Sequence, residues 1–293
     1  MSKTLKASRT AVLVCQGRAA ADGLIAPDRF ADPTAIRLLR PDEREAVGWA
    51  RAGLAPAEWR HRVDYEAVRA TAELMVPRTV AIDDAVRARP GPQLVILGAG
   101  LDGRAWRMPE LGGTAVFEVD QPASQHDKRD RAADLPGTPP AFVAVDFGRD
   151  RLGDALAAAG HRADRATTWV WEGVVPYLTE AEVAATVAAV AACSAPASRL
   201  VVNFQLPSVV TTLGRVAARA LAASTGRKSV WADEPWRSTW TSAAMSGLLN
   251  EHGFPVTRDE GLVEVAAALE LPVRHGRSLG NSRVMVADRT AGP

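Results

Sequence analysis

The sequence predicts an α/β fold built on a largely parallel sheet, and three observations carry that prediction. An apolar run, Leu94-Val95-Ile96-Leu97, ends abruptly in Gly98-Ala99-Gly100-Leu101-Asp102-Gly103. Four consecutive aliphatic residues read as a strand buried on both faces, as strands of parallel sheets are. The glycines permit a tight turn of positive φ and let a ligand approach the backbone closely. A second run, Ala115-Val116-Phe117-Glu118-Val119-Asp120, finishes on an acid, and strand-like and helical segments alternate thereafter. Strand, glycine turn, helix, strand and acid form a layout that holds an adenosine ribose by its hydroxyls.

Taken in order, residues 1 to about 90 carry arginine-rich helical segments and no strong strand, so they read as an N-terminal helical cap or lid over a domain of residues 91–293. Asp32-Pro33, Arg40-Pro41-Asp42 and Ala55-Pro56 punctuate the cap, because proline disfavours helix at the residue before it. Ala57 to Arg87 reads as one or two helices with a break or kink at Pro77. Strands are expected near Gln93–Gly98, Ala115–Val119, Ala141–Val145, Thr168–Trp171 and Leu200–Phe204, with a last one at Asn281–Ala287. Arg104–Met108 reads as a short helical segment, whose free amides would face whatever sits on the glycine turn. Thr179-Glu180-Ala181-Glu182 is a capping box that opens an alanine/valine helix running to about Cys193.

An insertion of about residues 207–245, after the fifth strand, interrupts the alternation. It holds a helical stretch, Val209–Ala223, and then Trp231, Trp236 and Trp240. Three of the eight tryptophans fall within ten positions. That concentration suits either a cap over a flat or apolar substrate or an insertion pinned to the core by large aromatics.

Lysine plus arginine (35) nearly balances aspartate plus glutamate (34), which argues against nucleic acid or an anionic membrane as a main partner. The two cysteines, Cys15 and Cys193, form no C-x-x-C pair, and His61, His126, His161, His252 and His275 show no metal-ligand spacing. No metal is expected. The apolar patch Ala11–Cys15 is too short for a signal sequence or a membrane span, so a soluble, cytoplasmic protein is expected.

Gly98, Gly100 and Gly103 also satisfy the G-x-G-x-x-G dinucleotide spacing, so the residues alone leave NAD and S-adenosyl-L-methionine both open. Asp102 weighs toward the second. Its carboxylate would repel a pyrophosphate on the turn but sits comfortably beside a cationic sulfonium, and Arg104, Trp106 and Arg107 crowd a helix turn that should approach the sheet closely.

The chain resembles the leucine carboxyl methyltransferase-like family of class I S-adenosylmethionine-dependent methyltransferases. The resemblance rests on Leu97–Arg107, Phe117-Glu118-Val119-Asp120-Gln121-Pro122, Val145-Asp146-Phe147 and Trp171–Leu178, in family order. It implies a Rossmann-like seven-stranded sheet with a terminal antiparallel hairpin and an N-terminal helical lid. It places Gly98, Ala99 and Gly100 against the cofactor backbone to backbone, Asp120 with Gln121 at the ribose hydroxyls, and Asp146 with Phe147 at the adenine. Glu172 would meet the α-ammonium of the methionine moiety and Arg78 its carboxylate. Two departures stand out: Gly103 where the family commonly has threonine, and Val80 where a second arginine is common.

The resemblance covers enzymes that esterify a protein C-terminus and others that methylate carboxyl groups of polyketides or peptides. The alanine- and arginine-rich composition looks like that of a high-GC bacterial chain, for which a small-molecule or peptide acceptor is expected, and the basic residue of the first group has no secure counterpart around Ser8-Arg9-Thr10. A carboxylate acceptor is already ionised at neutral pH, whereas a phenol wants a base. The expected reaction is therefore methyl-ester formation on a secondary metabolite by a proximity mechanism, with a phenol or hydroxyl acceptor as the alternative. Arg18, Tyr177 and Trp236 are the candidate acceptor contacts.

Overall fold

The computed structural model describes residues 8–146, 149–208, 236–272 and 279–290. The expectations placed on Phe147, Val209–Ala223, Trp231 and His275 lie outside the described residues. Seven strands form one mixed sheet in the order β3-β2-β1-β4-β5-β7-β6. They are β1 (Gln93–Leu97), β2 (Ala115–Asp120), β3 (Ala141–Ala144), β4 (Thr167–Trp171), β5 (Arg199–Gln205), β6 (Val256–Gly261) and β7 (Ser282–Asp288). β1 to β5 are mutually parallel, and β7 runs antiparallel between β5 and β6. β1 and β4 are buried along their whole length, which is why their sequences are continuous in apolar or bulky residues.

Among the described residues four helices precede the sheet: α1 (Arg9–Ala21), α2 (Ala35–Leu38), α3 (Pro41–Ala52) and α4 (Trp59–Ala88). After β1 come α5 (Arg104–Arg107), α6 (Pro122–Ala132), α7 (Leu152–Ala158), α8 (Glu180–Ala192), α9 (Ser242–Glu251) and α10 (Leu262–Ala268). The capping box of α8 is present, with Thr179 Oγ1 accepting the Glu182 amide and Glu182 Oε2 accepting the Thr179 amide.

One face of the sheet packs Val95, Leu97, Trp169 and Trp171 against α8 and α9 through Val183, Val187, Met245 and Leu249. The other packs Leu94, Ile96 and Val170 against Ala81, Ile82 and Val86 of α4. A third cluster joins α1, α2, α3 and the middle of α4 and takes in Leu101 from the glycine turn. The N-terminal helices are thereby fastened to the turn rather than set apart from it.

Two sequence expectations are corrected. Pro77 does not break the helix: α4 runs through it without interruption. Proline in a helix interior costs about 3 kcal/mol, but Met75 to Ile82 are all buried, and that packing outweighs one lost hydrogen bond. β6 had no counterpart among the strands read from the residues, because Val-Thr-Arg-Asp-Glu-Gly is a charged edge strand. Charges there guard an unpaired edge against further pairing.

Candidate functional site

β1 delivers its glycine turn at the carboxyl ends of the parallel strands. Gly98 and Gly100 have φ of +64° and +46°. The Gly98 and Ala99 amides both donate to the Val119 carbonyl, at 2.8 and 3.1 Å, so the turn is laced to β2. A Cβ on Gly98 would lie 2.3 Å from Val174 Cγ2. Glycine is required there twice over, by dihedral and by space.

β2 ends on Asp120 beside this turn. Its Oδ2 accepts the Gly100 amide at 2.6 Å and its Oδ1 accepts the Gln121 amide at 2.7 Å. Burial pushes the carboxyl above its ordinary value, against the opposing pull of those amides and of Lys128. The Ser124 side chain also hydrogen-bonds the carboxylate, and with about four acceptor positions Asp120 keeps some capacity beyond these three bonds. Gln121 is exposed and is the residue from which α6 starts. The Val145 amide donates to the Asp120 carbonyl at 2.9 Å, which sets Asp146 next along the same edge, its side chain half exposed. Gly98, Ala99, Gly100, Asp120, Gln121 and Asp146 thus share one rim.

Below the rim lies a buried ionic network joining the cap to the sheet. Arg18 meets Asp32 at 3.0 Å, Asp32 meets Arg107 at 3.5 Å, and Arg107 meets Asp83 at 2.6 Å. Asp83 meets Arg104 at 2.7 Å; Arg104 pairs with Asp102 and, at 2.8 Å, with Glu172; and Glu172 meets Arg78 at 2.8 Å. Four guanidinium groups and four carboxylates therefore cancel. Burial alone would push Glu172 up; Arg104, Arg78 and Arg18 outweigh it and hold the carboxyl well below the usual range. The same balance of burial against guanidinium groups lowers Asp83 and Asp102.

This network revises several expected roles. Arg18, expected at the acceptor, is buried; it donates to the Leu101 carbonyl at 2.7 Å and pairs with Asp32, so it ties α1 to the glycine turn. Asp102, expected to present a charge to the ligand, instead accepts the Arg104 amide at 2.7 Å and is neutralised by the Arg104 guanidinium. Its supposed repulsion of a pyrophosphate therefore does not discriminate between cofactors. Arg78 and Glu172, assigned to opposite charges of one amino-acid moiety, face each other, and Arg78 also lies beside Gly173, where a Cβ would come 3.7 Å from its Nη1. At Gly103 a Cβ would lie 2.0 Å from Thr34 Oγ1. A threonine hydroxyl from the cap fills the space that a side chain at 103 would take.

Tyr177 closes a short 3-10 turn, Val175–Tyr177, after β4. The segment bearing Trp236 returns to that turn: the Arg237 amide donates to the Pro176 carbonyl at 2.7 Å, and Ser238 Oγ donates to the Val175 carbonyl at 3.2 Å. The structure thus brings Tyr177 and Trp236 to neighbouring positions. Trp240 packs against the sheet core, its indole nitrogen donating to Ser238 at 3.2 Å. For Trp240 the pinning role is the one observed.

Sequence reasoning missed Glu118 and Lys128, a buried pair 2.5 Å apart beneath Asp120. The available signal was a glutamate in the centre of an otherwise apolar strand, which demands a buried partner. The histidines are engaged elsewhere: His61 stacks on Trp49, His126 lies on the surface, His161 bonds Thr167 at the start of β4, and His252 bonds the Leu248 carbonyl. Among the described residues no group of histidines, cysteines and acids is arranged to hold a metal ion, and no helix is long and apolar enough to cross a membrane.

Comparison with known proteins agrees with this architecture. A solved structure from Thermobifida fusca, provisionally described as a methyltransferase, superposes with a TM-score of 0.56 over 99% of this chain and 97% of its own, at 15% identity, a likeness of fold alone. A protein from Mycolicibacterium paratuberculosis is 34% identical over 260 residues, covering 86% of this chain and 78% of the relative. One from Mycobacteroides abscessus is 34% identical over 192 residues, and there the match covers 62% of this chain and 61% of the relative. Both are provisionally named S-adenosyl-L-methionine-dependent methyltransferases. The family model for leucine carboxyl methyltransferase matches residues 11–191, which include most of the N-terminal helices, the glycine turn, Asp120 and Glu172. The chain belongs to the leucine carboxyl methyltransferase family.

Proposed function

We propose that this protein is an S-adenosyl-L-methionine-dependent O-methyltransferase that forms a methyl ester on a carboxylate of a small molecule or peptide, a secondary metabolite. The observation that carries the cofactor is the rim itself: a positive-φ glycine turn whose Gly100 amide is bonded to the terminal acid of β2 at 2.6 Å. Asp120 would take the ribose hydroxyls with its remaining acceptor capacity, and Asp146 would stand at the adenine. The Arg78–Glu172 pair offers a guanidinium and a carboxylate together, the complement of a zwitterionic amino-acid end.

Bound S-adenosyl-L-methionine supplies a methyl group on a sulfonium, open to in-line displacement. The protein's contribution is then alignment and exclusion of water. A carboxylate acceptor needs no proton removed, whereas a phenol or alcohol would want a base; that contrast favours the carboxylate in a proximity mechanism. Tyr177 and Trp236 are assigned to the acceptor side because they flank the turn after β4, and Arg18 is withdrawn from it. Residues 1–90 act as the lid over a cofactor domain formed by the rest of the chain.

The test is product analysis after incubation with methyl-labelled cofactor and a panel of carboxylic acids, phenols and amines. Label released from the product by mild base marks a methyl ester and supports the reading. Transfer to phenols or amines but never to carboxylates contradicts the acceptor assignment, and NADH binding in place of S-adenosylhomocysteine contradicts the cofactor.

A further inference from the structure

Glu118 and Asp120 are two residues apart on β2, so their side chains leave the same face of the sheet. Asp120 stands at the strand's end; Glu118 lies in its body, fully buried. α6 begins immediately after the acid, and about two turns later it is fastened back onto the strand. Gln125 Nε2 donates to the Glu118 carbonyl at 2.6 Å, and Lys128 Nζ lies 2.5 Å from Glu118 Oε2. Lys128 is itself buried, its ammonium 5.7 Å over the ring of Trp106. The ion pair with Lys128 is the close contact of the Glu118 carboxylate, and Lys128 lowers its carboxyl by charge and by hydrogen bonding against the effect of burial. The charges facing Glu118 are Lys128 from α6, Asp102 from the glycine turn and Asp120 from its own strand. Lys128 acts in turn on Asp120 and Asp102.

We propose that Glu118 and Lys128 are positioning residues for the cofactor acid: the pair holds α6 against β2 so that Asp120 keeps its bond to Gly100, and its charge state sets how strongly Asp120 accepts from the ribose hydroxyls. The inference rests on the cofactor reading given above. Burial raises the Glu118 carboxyl to about 7 despite Lys128, so the pair changes charge across neutrality. Above that value the pair is neutral and Asp120 presents its full charge to the ligand. Below it Glu118 is protonated, the Lys128 ammonium is unopposed beneath Asp120, and Asp120 becomes a poorer acceptor. Cofactor affinity therefore rises with pH.

Titration calorimetry with S-adenosylhomocysteine, from about pH 6 to about pH 8, tests this; the wild type should tighten roughly tenfold, the equivalent of one pK unit of coupling. Glu118→Gln should bind at the weak limit throughout. Because an unpaired Lys128 can unfold the chain, Glu118→Gln/Lys128→Met serves as a second, charge-neutral variant, which should also lose the pH dependence. In turnover assays Glu118→Gln, which leaves the ammonium unopposed, should raise the KM for the cofactor with little change in kcat, and the charge-neutral double variant should bring that KM back toward the wild-type value above neutrality, a recovery that a merely structural role would not produce. Variants that retain the wild-type pH profile overturn the proposal, as does wild-type binding that is tight but flat with pH, while leaving the cofactor reading intact. Absence of wild-type binding at every pH overturns both.

Discussion

The Gly100 amide donates to Asp120 Oδ2 at 2.6 Å, joining the turn after β1 to the last residue of β2. These residues lie on adjacent parallel strands, and the register Leu97 to Val119 brings the two strand ends level. The bond fixes one oxygen of the acid while the second is held by the Gln121 amide. An acid so held pays little entropy when it accepts hydroxyls from a ligand.

Gly98→Ala should destabilise the fold by about 2 kcal/mol, because it combines a φ of +64° with an overlap on Val174. Adding Val174→Ala should recover part of that loss. The remainder, about 1 kcal/mol, is the cost of a left-handed side-chain-bearing residue. Urea unfolding of the two variants separates space from dihedral strain; full recovery in the double variant would show that the dihedral carries none of the loss.

Gly103→Thr should cost about 2 kcal/mol by overpacking, since Thr34 Oγ1 already lies 2.0 Å from the site of the new Cβ. Thr34 Oγ1 also donates to Asp32 Oδ1 at 2.7 Å, so displacing it disturbs the ionic network as well. Thr34→Ala in the Gly103→Thr background should restore most of the stability. Thermal unfolding of the pair checks the exchange, and equal melting temperatures for wild type and Gly103→Thr would contradict it.

Glu172→Gln should cost about 3 kcal/mol at neutral pH, because it leaves Arg78 and Arg104 buried with less counter-charge. The sign with pH follows from the depressed folded value of this carboxyl. Its stabilisation is present above the unfolded carboxyl value, about 4.3, and is lost as pH falls toward the folded one. The gap between wild type and variant should thus narrow in acid, with Asp83 and Asp102 still supplying an acid-sensitive limb in both. Denaturant melts across the acid range check this; a gap that widens in acid contradicts it.

Much of the parallel sheet was legible because buried parallel strands are written as apolar runs, and the Gly98 turn and Asp120 are written in the same local stretch. β6 was not legible, because an exposed edge carries charges where an inner strand carries valine. The true partners of Asp102, Arg18 and Glu172 were also hidden. Arg78 and Glu172 are 94 positions apart, and only the packing of α4 against the sheet brings them together. Pro77 misled for a related reason: local propensity favours a break, and the burial of the surrounding turns decides otherwise.

The central claim is that Asp120 holds the cofactor, and titration calorimetry of the wild type and Asp120→Asn with S-adenosylhomocysteine tests it most directly. Loss of charge-assisted bonds to two hydroxyls should weaken binding by about 3 kcal/mol, roughly a hundredfold, and the ligand-free protein should itself lose about 1 kcal/mol, because the amide nitrogen of an asparagine cannot accept the second of the two backbone amides that the carboxylate holds. Asp120→Asn binding as tightly as the wild type would contradict the account.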